Sequence, residues 1–203
     1  MASARSTIML CLIQCGESAW EAEHRLHGAT DLPLSESGRT AVNEDARKLR
    51  CDRVAVVHHS PDEAATDTAH IIARKLGARA KAVAELAEPN LGLLEGLTEE
   101  QFEERFPTRH HQWLDDPGSF QAPDGEHLLE VSNRIRNAVA HILKRSRSPE
   151  SVIVLHPLSL GMMRCWLADR PLGDLREMLK GRSRTERYSM TRDMLKDLEA
   201  AAS

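Results

Sequence analysis

Three short apolar runs, Ile8 to Ile13, Val54 to Val57 and Val152 to Leu155, constrain this chain more than any other feature. They show little alternation of polar and apolar residues, which identifies strands covered on both faces rather than half-exposed ones. Between the runs the pattern changes to helical spacing. Val42, Ala46 and Leu49 share one face, and Ala65, Ala69, Ile72 and Leu76 share another, stopped by Gly77. Leu128, Val131, Ile135, Ala138 and Ile142 mark a longer amphipathic helix before the third run. Ser60-Pro61-Asp62-Glu63 reads as a capping box with proline at the first helical position. Strands alternating with helices require right-handed crossovers and predict an α/β fold, a three-layer αβα sandwich around a mostly parallel sheet. Ligands in such folds gather beyond the carboxyl ends of the strands. Chemistry is therefore expected in Gln14 to Gly28, His58 to Ala64 and His156 to Ser159.

The 203 residues suit one domain spanning 1–203, and 41% hydrophobic content fills its core. Lys and Arg number 27 against 31 Asp and Glu, a net charge of −4, so no bulk positive field recruits nucleic acid. Aromatic residues make up 3%, too few for platforms on which bases stack. Four cysteines (Cys11, Cys15, Cys51, Cys165) in a chain of this length do not form a disulfide framework. The first apolar run is too short for a secretory signal, and no stretch reaches the ~20 residues of a membrane span. A cytoplasmic protein is expected. Charge is uneven: Glu85 to Glu130 holds twelve acidic and two basic residues, whereas His141 to Arg192 holds eleven basic and five acidic. Solvated helix faces account for this pattern, with a partner-docking surface as the sharper alternative.

Residues Leu12 to Trp20, followed by Arg25-Leu26, Gly28, Asp31, Pro33-Leu34 and Gly38, form a recognisable opening. Ser60-Pro61 with Thr68-Ala69, Leu86 and Glu88, Gly92 with Glu95-Gly96-Leu97, Gly125-Glu126 and Val154-Leu155-His156 follow in order. This series resembles the histidine phosphatase superfamily, the phosphoglycerate mutase-like proteins, most clearly over residues 7–168. Residues 169–203 form a basic C-terminal segment and tail without a clear counterpart. The resemblance implies a pocket of one nucleophilic histidine, two arginines and a second histidine, with a carboxylate as proton donor. Here the nucleophile position is Cys15, the arginine positions are Gln14 and Ala64, the second histidine is His156, and Glu88 keeps the proton-donor position. A substrate-contacting asparagine position is Glu21, and a glycine position is His24.

Phosphoryl transfer is mostly positioning plus stabilisation of spreading negative charge. Gln14 offers only neutral donors and Ala64 offers none. Losing two charged hydrogen bonds removes roughly 3–6 kcal/mol from anion binding, about two to four decades. Asp62 and Glu63 add negative charge nearby. The leading expectation is a binding or regulatory pseudoenzyme whose phosphoryl-transfer activity is lost. One alternative is an impaired or repurposed phosphomonoester phosphatase or mutase using His156 and Glu88. Another is a Cys15-centred redox site, or a metal site joining Cys15 to His59, His156 and Glu88. The candidate catalytic residues are thus His156, Glu88 and Cys15, and the candidate ligand-binding residues are Gln14, Gly16, Arg25, His59 and Ala64. Arg25, Arg164 and His59 are the groups that could swing in to replace the missing cations. On the leading reading no cofactor or metal is required. The expected partner is a phosphorylated small molecule or a protein, with a homodimer as the expected assembly and no nucleic acid or membrane. Met162-Met163 reads as core filler, and His110-His111 as a solvated helix face.

Overall fold

The computed structural model describes residues 7–180 and 183–200. Its elements run β1 (Ile8–Gln14), α1 (Ala19–Ala22), α2 (Glu36–Lys48), β2 (Val56–His59), α3 (Glu63–Leu76), β3 (Arg79–Ala82), α4 (Glu99–Arg105) and α5 (Pro107–Asp115). They continue with α6 (Leu128–Arg145), β4 (Glu150–Leu155), α7 (Pro157–Leu167), α8 (Leu175–Leu179), β5 (Thr185–Met190) and α9 (Arg192–Ala200). The strands form one sheet in the order β3-β2-β4-β1-β5. All neighbours are parallel except β5, which runs antiparallel to β1. This is the expected three-layer α/β sandwich with a mostly parallel sheet.

The missing alternation follows from the two central strands. Leu10 and Leu12 of β1, with Ile153 and Leu155 of β4, face a core closed by α6, α7 and α9. Cys11, Ile13, Val152 and Val154 point the other way, into a core closed by α2 and α3. Successive strand side chains alternate between faces, and here both faces are dry. Each fully buried Leu or Ile in these layers stabilises the fold by about 1.5–3 kcal/mol.

Several elements differ from expectation. The second strand lies two residues later than its apolar run, because Val57 and His58 are the residues in register with β4 while Val54 packs beneath the sheet just before it. The helix after it begins at Glu63, not at Pro61. Asp62 is the cap, its side chain accepting the Ala65 amide, so Ser60 and Glu63 do not form a capping box. Gly77 ends that helix in the left-handed conformation as expected. The edge strand Arg79–Ala82 and the strand Thr185–Met190 carry no apolar run and lie outside the sequence expectation. The C-terminal segment is accordingly part of the fold, with β5 on the sheet and Leu195 and Leu198 of α9 in the core. Its arginines Arg170, Arg184 and Arg187 are paired, with Asp174 and Glu177, with Asp45 and with Glu150, and its Glu186 is paired with Arg164 of α7. His110 is buried rather than solvated, bonded to Glu99 at 2.8 Å and packed edge-on against Phe102.

Candidate functional site

β1 and β4 end side by side, and their register brings Gln14 opposite Leu155. Cys15 and His156 therefore lie together one residue beyond the strands, with the Cys15 amide donating to the Leu155 carbonyl at 2.8 Å. The third member of the constellation comes from α3, whose first turn presents Asp62, Ala64 and Ala65. Ala64 is fully buried. Its methyl offers no polar group to the pocket.

Cys15 is 2% exposed, and its sulfur sits 3.6 Å from the Thr68 hydroxyl. The same hydroxyl accepts the Gly16 amide at 3.0 Å. A Cβ on Gly16 would come within 2.7 Å of both Leu34 and Val42, so this residue is held to glycine by close packing against α2. Gln14 is half-buried and faces the cavity described below.

His156 is 1% exposed and forms the N-terminal boundary of α7, ahead of Pro157. Its Nε2 lies 3.0 Å from Asp62 Oδ1. Burial works against charge on this ring, but the Cys15 sulfur and the Asp62 carboxylate outweigh it and hold the His156 pKa well above its ordinary value. Asp62 shows the reciprocal effect. Burial opposes its ionisation, yet the bond and charge of His156 keep it far below the usual carboxylate range.

Glu88 is buried and turned to α7. Its Oε1 accepts the Leu158 amide at 2.7 Å, and its Oε2 accepts the Ser159 amide at 2.9 Å together with the Ser159 hydroxyl. A carboxylate on the free amides of a helix start complements the helix dipole. Burial nevertheless raises its pKa, despite the opposing influence of His156 and of these bonds. Both oxygens are thus occupied in ordering the chain between Ala87 and α7.

Arg25, Arg164 and His59 do not converge on Cys15, whereas Arg184, paired with Asp45, donates to the Cys15 carbonyl at 3.3 Å. Arg25 pairs with Glu23 at 2.9 Å and donates to the Gly96 carbonyl at 2.9 Å. Arg164 is buried among Glu186, the Met178 carbonyl and the Ser183 carbonyl, all at about 3 Å. Neither stands in for the missing arginines. His59, held neutral by burial, donates from Nδ1 to the Ser60 carbonyl at 2.6 Å. With His59 and Glu88 engaged in this way, the proposed four-residue metal set around Cys15 does not form. Among the described residues, Cys15, His59 and Glu88 belong to no group of potential ligand atoms that converge.

Sequence reasoning missed His27. It is 7% exposed, its Nε2 meets the Thr30 carbonyl at 2.8 Å, and its ring packs edge-on against His156 with centroids 5.1 Å apart. The turn that carries it is fixed by Gly28 at φ +67°, where a Cβ would collide with Glu95. Glu95 in turn accepts the Ala29 and Leu91 amides and the Thr30 hydroxyl. Glu21 closes the group. It forms a capping box with Ser18, and its Oε2 lies 3.6 Å from His27 Nδ1. A cavity of about 290 Å³ opens in front, lined by Gln14, Glu21, Arg25, His27 and Glu88 on its polar side and by Phe102 and other apolar residues opposite. Cys15 and His156 are not on its wall. They lie behind it.

The profile of the histidine phosphatase superfamily (branch 1) matches residues 10–192. Phosphoserine phosphatase 1 of Hydrogenobacter thermophilus is 27% identical over 160 residues, covering 79% of this chain and 76% of its own. The probable phosphoglycerate mutase GpmB of Escherichia fergusonii is 27% identical over 156 residues, covering 77% and 73%. Among solved structures, Bacillus stearothermophilus YhfR superposes with a TM-score of 0.76 at 28% identity over 83% of each chain. The mycobacterial glucosyl-3-phosphoglycerate phosphatase Rv2419c, at 24% identity and a TM-score of 0.73 over 84% of each chain, shares the fold.

Proposed function

Since the chain belongs to the histidine phosphatase superfamily, we propose that it keeps the scaffold of a phosphoryl-transfer pocket without the transfer chemistry, and acts as a binding or regulatory protein. The observation that carries this reading is the sealing of the reactive centre. Cys15 and His156 are 2% and 1% exposed, behind the His27 ring and the Thr68 hydroxyl. A phosphorus atom must come within reach of a nucleophile in line with its leaving group, and a buried thiol at Cys15 denies that approach.

Electrostatics supports the same reading. Around the positions where two guanidinium groups are expected stand Gln14, Ala64, the Asp62 carboxylate and Glu21. The cations at the centre are already paired: His156 with Asp62, and Arg184, whose Nη2 reaches the Cys15 carbonyl at 3.3 Å, with Asp45. Relatives named as phosphatases and mutases make phosphomonoesters the substrates to test. A phosphorylated small molecule or a protein is the partner class on this reading, with a homodimer as the assembly to test. The four free cysteines are in keeping with a reducing cytoplasm, and among the described residues no helix is long and apolar enough to cross a membrane.

The deciding experiment is turnover of a phosphomonoester panel, including phosphoserine and 3-phosphoglycerate, by purified protein. No turnover above a His156→Ala control is expected. Hydrolysis that disappears in that control overturns the reading in favour of an impaired phosphatase working through His156 and Glu88.

A further inference from the structure

The pocket that has lost its anion-binding groups has gained a set of electron-pair donors. One donor atom from each of Glu21, His27 and His156 lies within 4.8 Å of the other two. The hydrogen bonds of the two rings indicate which atoms these are. His27 Nε2 faces the Thr30 carbonyl, which can only accept, so the proton of this ring sits on Nε2 and Nδ1 carries the lone pair. His156 Nε2 faces the Asp62 carboxylate, which fixes a proton there in the same way. Both Nδ1 atoms are buried and lack an oxygen or nitrogen hydrogen-bond partner, and the His156 ring also has the Cys15 sulfur acting on it. A buried nitrogen left unpartnered is costly, and two of them beside a carboxylate call for a shared partner.

We propose that Glu21, His27 and His156 form a binding site for a divalent transition-metal ion of the zinc class, held by the two Nδ1 atoms and the Glu21 carboxylate. Two histidines and one carboxylate with a fourth position open is a donor set suited to such an ion. The 3.6 Å between His27 Nδ1 and Glu21 Oε2 compares with an edge of about 3.3 Å for a tetrahedron with bonds near 2.0–2.1 Å. The other two separations lie within 4.8 Å, so the donors must draw together by up to about 1.5 Å to close the set. The outer partners are also present: a carboxylate behind His156 and a carbonyl behind His27 are the groups that orient metal-bound imidazoles. The Glu21 Oε2 that faces His27 also accepts the Ser18 amide at 2.8 Å, and a carboxylate oxygen has a further lone pair to offer. Glu21 is partly exposed on the cavity wall, which gives an ion its way in.

This inference rests on the reading that the pocket no longer holds phosphate, and it names what the pocket holds instead. Its test is independent of turnover. Purified, chelator-stripped protein is titrated with Co²⁺ and followed by absorbance and by metal analysis. The expected result is one ion per chain, a tetrahedral visible spectrum and no thiolate-to-metal charge-transfer band. Glu21→Gln keeps the capping box, since glutamine serves at that position, and should weaken binding at least ~100-fold, more than the 10–100-fold expected for loss of an outer partner. His27→Gln is a second, independent variant with the same expected loss, and thermal melts establish that both are folded. Cys51→Ser should bind as before, which separates this site from the other converging group among the described residues, Cys11, Cys51 and Glu150. No bound ion at micromolar Co²⁺, a thiolate band, or binding that survives both Glu21→Gln and His27→Gln overturns the proposal. Phosphomonoester turnover would instead count against the reading of the previous subsection.

Discussion

A single oxygen of Asp62 joins two parts of the chain 94 residues apart: Oδ1 accepts the Ala65 amide at 2.9 Å and meets Nε2 of His156 at 3.0 Å. The group that starts α3 is therefore also the group that orients His156. Asp62→Ala removes a helix cap worth about 1 kcal/mol and a hydrogen bond to a charged group worth about 1.5–3 kcal/mol, so a loss of roughly 2–4 kcal/mol is expected. Urea denaturation at neutral pH measures it.

The same pair makes that loss depend on pH. Asp62 titrates lower in the folded chain than its ordinary 3.8, so its contribution is present above that value and is lost as pH falls through the depressed one. His156 titrates higher than its ordinary 6.5, so its contribution is complete below that value and is lost as pH rises through the raised one. The stability gap between the natural protein and Asp62→Asn should be widest between about pH 4 and 6.5 and narrow on either side. Denaturation midpoints at pH 3, 5.5 and 9 are sufficient. A gap that does not vary with pH rules out an ion pair.

Glu88 is expected to behave as a structural residue. Glu88→Gln replaces an acceptor of two amides and a hydroxyl by a group with half the acceptors and two unwanted donors. About 1–3 kcal/mol of stability should be lost. Hydrogen exchange at the start of α7 should rise with it, and an unchanged exchange rate there would show that Glu88 does not hold that helix.

Arg164 ties α7 to β5, to α8 and to the chain after α8, through Glu186 and the Met178 and Ser183 carbonyls. Arg164→Met leaves Glu186 without its buried counter-charge, for which a cost of about 3–5 kcal/mol is expected. Thermal unfolding checks it. A pocket cation would instead show its effect in anion affinity, with the melting temperature unchanged.

Restoring the expected pocket tests how much of the lost affinity lies in three side chains. Gln14→Arg, Cys15→His and Ala64→Arg together return two charged donors, and inorganic phosphate should bind about two to four decades more tightly. Calorimetric titration with phosphate reads the gain. If none appears, the carboxylates of Asp62 and Glu21 govern the pocket.

The central strands were legible because they are buried on both faces, and a run as apolar as Val152 to Leu155 is too short for a helix that would bury it as well. The outer strands were not. Arg79–Ala82 lies at an exposed edge and Thr185–Met190 alternates, so neither carries an apolar run. The segments that hold Cys15, Ala64 and His156 were legible as strand ends and a helix start, and the resemblance to the family singled out these residues within them. The partnerships that decide the chemistry could not. Asp62 with His156, His27 with Glu21 and Glu88 with α7 are contacts between loops, and no local pattern encodes which acceptor a buried ring will face.

The position of β1 has a consequence for synthesis of the chain. Among the described residues its neighbours in the sheet are β4 and β5, which begin at Glu150 and Thr185. During synthesis β1 must therefore wait for more than 130 further residues before β4 supplies a backbone partner. High contact order of this kind slows folding and leaves an apolar edge open to other chains meanwhile. Cys15 is anchored through the Leu155 carbonyl, so the pocket is among the last parts of the molecule to be assembled. A truncation that removes β5 should thus disturb this centre although no side chain lining it has changed.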